Sequence, residues 1–186
     1  MEVEIMKKFS VKTIVAIGIG AALFFVLGRF VAIPSPVPNT SISVQYGLLA
    51  FLSVVYGPVA GALVGFIGHT LIDFSNGGVW WSWVIASAVF GLLMGLAAKA
   101  LKMEEGELGK KGLIKFNIAQ LVCHLICWLA VAPVLDVYMM GEPWDKLIAQ
   151  GLMAAVSNAV TTAIVGSLLC IAYAATKTKA GSLTKE

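Results

Sequence analysis

The chain has 186 residues, of which 59% are hydrophobic and only 12% are charged, and its mean hydropathy is +0.91. A water-soluble domain does not reach this balance, so the composition predicts an integral membrane protein. The formal net charge of +3 comes from basic residues that flank apolar runs, which is how membrane proteins use lysine, and it does not indicate nucleic-acid binding.

The apolar runs form six segments that can each cross a bilayer, since about twenty apolar residues do so as a helix. A proline-rich loop follows the first segment, and the long apolar stretch after it contains Gly57-Pro58, a turn signal that divides it into two spans. One membrane domain in contact with lipid is therefore predicted over residues 1–186, with spans near 12–30, 42–56, 58–74, 82–101, 116–132 and 147–176 and loops at 102–115 and 133–146.

The distribution of charge favours six spans over five. With six spans, eleven of the thirteen lysines and arginines lie on one side of the membrane, and only Arg29 and Lys146 lie on the other. Because basic residues stay preferentially in the cytoplasm, the first side is predicted to be cytoplasmic. The predicted fold is an all-α integral membrane protein with six transmembrane helices and cytoplasmic N and C termini. Four acids gather on the outer side: Asp73, Asp136, Glu142 and Asp145.

Small residues recur four apart in three spans: Ala16 with Gly20 and Gly18 with Ala22 in the first, Gly57, Gly61 and Gly65 in the third, and Gly91 and Gly95 in the fourth. This spacing lets helix backbones approach closely. Contacts inside the bundle explain it best for the third and fourth spans. For the first span, a docking face for another membrane protein is the sharper interpretation.

Polar groups within spans cost free energy to place there and are candidates for function. They gather on the outer side and form the predicted substrate site: Asn39, Gln45, His69, Trp81, Gln120, His124, Trp128 and Asn158. Aromatic rings offer stacking area, while amides and imidazoles both donate and accept hydrogen bonds. Such a cavity suits a small, flat, nitrogen-rich heterocycle. Because no basic cluster is present, the ligand is predicted to be neutral or weakly basic.

Plainer interpretations exist for most of these groups. An interfacial tryptophan usually anchors the chain at the lipid headgroups. His69 and Asp73, four residues apart, fit a structural pair equally well, and the stripe of Gln120, His124 and Trp128 could supply interhelical hydrogen bonds. Ser157, Thr161 and Thr162 more often bond to their own helix.

Sequence motifs for common chemistries are missing. The chain has no G-x-x-x-x-G-K-S/T, no H-E-x-x-H and no G-x-S-x-G, and its three cysteines lack metal-ligand spacing. The sequence therefore predicts no catalysis, no cofactor and no metal. Two alternatives stay open: a standalone secondary carrier and, less favoured, a membrane-embedded enzyme that uses His69 with Asp73, or His124.

Four stretches of the chain carry a family resemblance: Ser10 to Ala22, Ile33 to Thr40, Val64 to His69 and Trp80 to Trp83. Together with six short spans and an outward polar pocket, they resemble the S component of energy-coupling factor (ECF) transporters. Within that family they look like a bacterial subfamily of carriers for hydroxymethylpyrimidine or riboflavin.

The resemblance implies a substrate-capture subunit in the bacterial plasma membrane. It would bind a vitamin or precursor from outside, with hydroxymethylpyrimidine, a thiamine precursor, favoured and riboflavin next. It would then dock through the small residues Ala16 and Gly20 onto a membrane T component driven by two cytoplasmic ATPases. The family's pocket maps onto Asn39, Gln45, Trp81, His124, Trp128 and Asn158, beneath a lid formed by residues 34–43.

Overall fold

The computed structural model describes residues 10–101 and 110–176. Its α-helices are α1 (Val11–Val26), α2 (Gln45–Tyr56), α3 (Pro58–Ser75), α4 (Trp81–Ala100), α5 (Lys110–Ile126), α6 (Ala132–Met140), α7 (Trp144–Thr161) and α8 (Ser167–Thr176). Three π-helical segments, Leu27–Val31, Cys127–Val131 and Thr162–Gly166, continue α1, join α5 to α6 and join α7 to α8. The strands β1 (Ile33–Pro34) and β2 (Ser41–Ile42) pair antiparallel. Of the loop predicted at 102–115, residues 102–109 lie outside the described residues.

Within residues 10–101 and 110–176, five helical stretches are long and apolar enough to cross a membrane: Val11–Val31, Pro58–Ser75, Trp81–Ala100, Lys111–Met140 and Trp144–Thr176. The sixth, α2, is apolar but has only 12 residues. The prediction of an all-α membrane bundle is confirmed. The predicted break between the second and third spans is also found, because Gly57 has a φ of +88° and Pro58 occupies the first turn of α3.

The fifth helical stretch is longer than predicted. The sequence-based span stops at residue 132 and leaves 133–146 as a loop, but residues 132–140 form α6. Pro133 lies in the first turn of α6, directly after a π-helical segment, where its missing N–H does not break the helix. The helix ends at Gly141, whose φ of +69° gives a left-handed cap. The extension brings Asp136 into the bundle.

α3 and α4 touch along their backbones. A Cβ atom added to Gly91 would overlap the carbonyl group of Gly61, and one added to Gly95 would overlap Pro58. This glycine seam, formed by Gly61, Gly91 and Gly95, confirms that the small residues of these two spans serve contacts within the bundle.

The connections 32–44, 76–80 and 141–143 all lie at the same end of the bundle, because consecutive helices alternate in direction. We call this the loop end. α2 spans only about 18 Å at the usual rise per residue, well short of a hydrocarbon core of about 30 Å. Its first residues, Gln45 and Tyr46, are therefore recessed below the loop end, and they line a cavity there.

Candidate functional site

The cavity at the loop end has a volume of about 180 Å³. It adjoins a wider vestibule of about 490 Å³, with which it shares seven lining residues. The cavity is lined by Gly28, Asn39, Thr40, Ser41, Gln45, Tyr46, His69, Ile72, Asp73, Asn76, Trp83, Trp128, Ala154 and Asn158. The structure thus brings together five of the eight predicted site residues: Asn39, Gln45, His69, Trp128 and Asn158.

The loop over the cavity is a short hairpin. Ile33 pairs with Ile42 across its two strands, and the Ser35 and Thr40 hydroxyl groups lie 2.5 Å apart inside it. Asn39 adopts a left-handed backbone with a φ of +61° at the turn. The Gln150 Nε2 of α7 donates to the Pro38 carbonyl at 2.9 Å and ties the hairpin to the bundle.

Two indoles form the aromatic wall of the cavity. The rings of Trp83 and Trp128 are stacked, with centroids 5.5 Å apart and planes at 18°. Tyr46 meets Trp128 edge-on, with centroids 5.1 Å apart. Trp83 comes from α4 and Trp128 from the π-helical segment after α5, so two spans contribute to this wall.

Several polar atoms at the cavity have no protein partner. The Oε1 of Gln45 is buried and accepts no hydrogen bond from any described residue. The side-chain amide of Asn158 lies in a residue only 4% exposed, and among residues 10–101 and 110–176 it has no hydrogen-bond partner either. Buried polar groups are nearly always paired, so the Gln45 Oε1 is available to a ligand, and the Asn158 side chain lines the same cavity beside it.

His69 belongs to a chain of polar contacts at the edge of the cavity. Its Nδ1 lies 2.6 Å from the Ser87 hydroxyl, which also lies 2.8 Å from the Tyr46 hydroxyl. Its Nε2 lies 3.5 Å from the Asp73 Oδ1, beyond normal hydrogen-bond length, while the Asp73 Oδ2 accepts from the Trp80 backbone N–H at 2.8 Å. His69 and Asp73 thus form a long contact at the edge of the cavity.

His124 and Gln120 lie behind the aromatic wall and do not line the cavity. The Trp128 Nε1 donates to the His124 Nδ1 at 2.9 Å, so the proton of the neutral ring sits on Nε2, which contacts the Thr162 hydroxyl at 3.0 Å. Gln120 donates to the Ala159 carbonyl at 3.3 Å. His124 orients Trp128, and Gln120 joins two helices.

The predicted site residue Trp81 points away from the cavity. It is 41% exposed and stacks on Phe66, with centroids 6.2 Å apart, on the surface that faces lipid. Its neighbour Trp83 takes the stacking role. The sequence-based site also missed Tyr46, Asp73 and Asn76. The spacing of four residues pairs Asp73 with His69, but Asp73 is not included among the predicted site residues.

A second concavity lies beside α1 and is largely apolar. It has a volume of about 350 Å³ and is lined by Lys12, Val15, Ala16, Ile19, Gly20, Leu23, Leu48, Leu52 and Tyr56. Gly20 forms part of its floor, where a Cβ atom would lie 2.6 Å from the Leu52 Cδ1. Gly18, in contrast, has nothing within 4 Å of its Cβ position and faces outward. The two small-residue pairs of α1 thus lie on different faces.

Comparison with known proteins gives consistent matches over nearly the whole chain. A family model described as the S component of an ECF-type riboflavin transporter matches residues 8–175. A UPF0397 protein of Enterococcus faecalis (strain ATCC 700802 / V583) is 49% identical over 181 residues, covering 97% of this chain and 99% of the relative. A UPF0397 protein of Lacticaseibacillus casei (strain BL23) is 42% identical over 181 residues, covering 97% of both chains.

The fold is similar to that of one solved structure in particular. This is the S component for biotin from an ECF-type ABC transporter, with a TM-score of 0.64 over 88% of this chain and 91% of that chain. The two sequences are 17% identical, so the similarity concerns the fold.

Proposed function

Because the chain belongs to the S-component family of ECF-type riboflavin transporters, we propose that it captures a small heterocyclic vitamin or vitamin precursor in the loop-end cavity and delivers it to a T component. The family and fold are those of a multi-pass subunit of the bacterial plasma membrane and not those of an enzyme. The alternative of a membrane-embedded enzyme, which the sequence left open, is therefore wrong. Ser87, next to His69, is also fully buried and out of reach of a substrate.

The main support for this proposal is that the aromatic wall of Trp83 and Trp128 lies in the same cavity as the amides of Gln45 and Asn158. A flat ring placed against Trp83 and Trp128 would gain stacking area. Its edge nitrogens would meet the amides of Gln45 and Asn158, which can each donate and accept. Asp73 is the charged residue of the cavity lining, so a neutral or weakly basic ring is favoured over an anion.

The volume of the cavity favours a small ligand. About 180 Å³ is below the size of most drug-binding pockets, which occupy about 300–1,000 Å³. A single pyrimidine ring fits this space, whereas a three-ring isoalloxazine would extend into the vestibule. We therefore favour hydroxymethylpyrimidine, a thiamine precursor, and place riboflavin second.

The basic residues favour an outward orientation of the cavity. Lys12, Lys99, Lys111 and Lys115 lie at the end opposite the loops, which the positive-inside tendency assigns to the cytoplasm. The ligand would then enter from outside, past the hairpin over residues 33–42. Two cytoplasmic ATPases would drive its release through the T component.

The concavity that contains Ala16 and Gly20 is the proposed docking surface for the T component. We expect Ala16→Leu to abolish co-purification with the T component and ligand uptake, while binding to the isolated subunit is unchanged, because the added side chain would fill the concavity. Ala172→Leu, an exposed alanine on α8, is the matched control and should assemble normally. Normal assembly of Ala16→Leu would place docking elsewhere, and Gly18→Leu would then test the other face of α1.

Native mass spectrometry of the purified chain tests the proposed capture directly. We expect a co-purifying heterocycle, or saturable binding of added hydroxymethylpyrimidine or riboflavin. Uptake should also require the T component and both ATPases. Uptake in cells that contain this chain alone would instead identify a standalone carrier.

A further inference from the structure

Asp136 lies on the extended part of the fifth helical stretch and is only 1% exposed. It accepts three hydrogen bonds from the start of α4. Its Oδ1 accepts from the Trp80 Nε1 at 2.5 Å and from the Ser82 hydroxyl, and its Oδ2 accepts from the Trp83 Nε1 at 2.7 Å. A carboxylate can only accept, and an indole N–H can only donate, so every member of this cluster is matched.

A buried carboxylate in a membrane span is costly and therefore a candidate for function. Here the single acid holds the indole groups of both Trp80 and Trp83, and both line the vestibule. Lys146, which is paired with Glu142 at 2.7 Å, lies over the Trp80 ring at 5.6 Å from its centroid. Trp80 is thus held between an acid at its edge and a cation over its face.

The bond to Trp83 has the larger consequence for the cavity. An indole can rotate about its Cα–Cβ and Cβ–Cγ bonds, and stacking alone restrains this rotation only weakly. Trp128 is fixed from behind by His124. Trp83 is fixed by Asp136, and the two rings meet at 18°. Both indoles of the wall are therefore held by hydrogen bonds at their edges.

We propose that Asp136 is a positioning residue that holds Trp83 against Trp128 before a ligand enters, so that the aromatic wall of the cavity is preformed. Only the expected effect of Asp136 on ligand affinity rests on the proposed function; the preformed wall itself does not. A preformed wall removes the cost of ordering two large side chains on binding. Asp136 itself does not touch the ligand.

Hydrogen exchange of the indole N–H groups in the ligand-free, full-length protein tests the preformed wall without any substitution at Asp136. The expected result is slow exchange at Trp83 and Trp128 and fast exchange at Trp144, which is 50% exposed. Phenylalanine variants of the individual tryptophans assign the signals. Exchange at Trp83 as fast as at Trp144 would show that the wall is not held, and the proposal would be wrong.

Asp136→Asn tests the role of the acid itself, since a carboxamide can offer only one acceptor oxygen to the two indoles. We expect it to lose most of the near-ultraviolet circular dichroism that Trp83→Phe removes, with helix content retained, and to add little in the Trp83→Phe background. Asp145→Asn, an exposed acid at the same end, should leave the spectrum unchanged, and Ser82→Ala, which keeps both indole bonds, should retain most of it. A wild-type spectrum for folded Asp136→Asn would overturn the proposal.

Affinity separates this proposal from the proposed function. With hydroxymethylpyrimidine as the probe, Asp136→Asn should bind about tenfold more weakly than wild type. A preformed wall in a protein that binds neither hydroxymethylpyrimidine nor riboflavin would leave the role of Asp136 standing and would refute the ligand class.

Discussion

Asn158→Leu is expected to weaken binding of hydroxymethylpyrimidine, or of a co-purifying ligand, by at least about tenfold, which corresponds to 1.4 kcal/mol. The Asn158 amide is buried at the cavity and unpartnered among the described residues. On binding, a polar group of the ligand gives up its hydrogen bond to water and bonds to this amide instead. In the variant that group would have no partner, which costs about 1–3 kcal/mol of binding free energy. Leucine has nearly the same shape, so the fold should persist. Isothermal titration of the purified protein measures the change.

Gln120→Leu is the matched control for this experiment. It makes the same replacement of an amide by a branched alkyl group in the same bundle, but Gln120 lies behind the aromatic wall and contacts the Ala159 carbonyl. We expect its affinity to stay within about twofold of wild type, because the cavity lining is unchanged. Equal loss of affinity in both variants would mean that the effect comes from general destabilisation, and unchanged affinity in Asn158→Leu would remove this cavity as the binding site.

Gly91→Val is expected to destabilise the bundle by about 3 kcal/mol or more, at the upper end of what overpacking usually costs. A Cβ atom on Gly91 would overlap the backbone of Gly61, and backbone cannot move aside as a flexible side chain can. The two helices would have to separate along the glycine seam. Thermal unfolding in detergent, followed by circular dichroism and by the yield of monodisperse protein, measures the loss.

Gly18→Val provides the comparison, since it adds the same side chain to another membrane-spanning helix. Apart from its own helix, none of the described residues has an atom within 4 Å of the Cβ position of Gly18. We expect its unfolding midpoint to stay close to that of wild type. A stable Gly91→Val protein would mean that α3 and α4 do not meet along the glycine seam.

The sequence was sufficient to predict the helical membrane fold, the break at Gly57-Pro58 and five of the fourteen residues that line the cavity. It could not choose correctly between neighbouring tryptophans. Successive residues of a helix are turned by about 100°, so Trp81 and Trp83 face nearly opposite ways, and either could have faced the cavity. Only the packing of α4 against α3 and α6 decides that Trp83 faces inward.

The positions of Gln120 and His124 along the helix axis explain why they do not line the cavity. Gln120, His124 and Trp128 do share one helix face, as predicted, but each step of four residues moves about 6 Å along the axis. The cavity is shallow, so only Trp128 reaches it, and His124 contacts it through Trp128. Asp136 was missed for a different reason: Pro133 suggested the end of the span, and the π-helical segment that accommodates this proline leaves no clear sign in the sequence.

The glycine seam has a mechanical consequence for how the cavity can open. Because the backbones of α3 and α4 are in direct contact, the two helices cannot slide past each other without a steric clash. We therefore expect them to move as one rigid body that carries His69, Asp73 and Trp83. The hairpin on the other side of the cavity is fastened to α7 by the side-chain bond from Gln150 to Pro38. We therefore expect a ligand that enters past the hairpin to require release of the Gln150 bond, while α3 and α4 keep their positions.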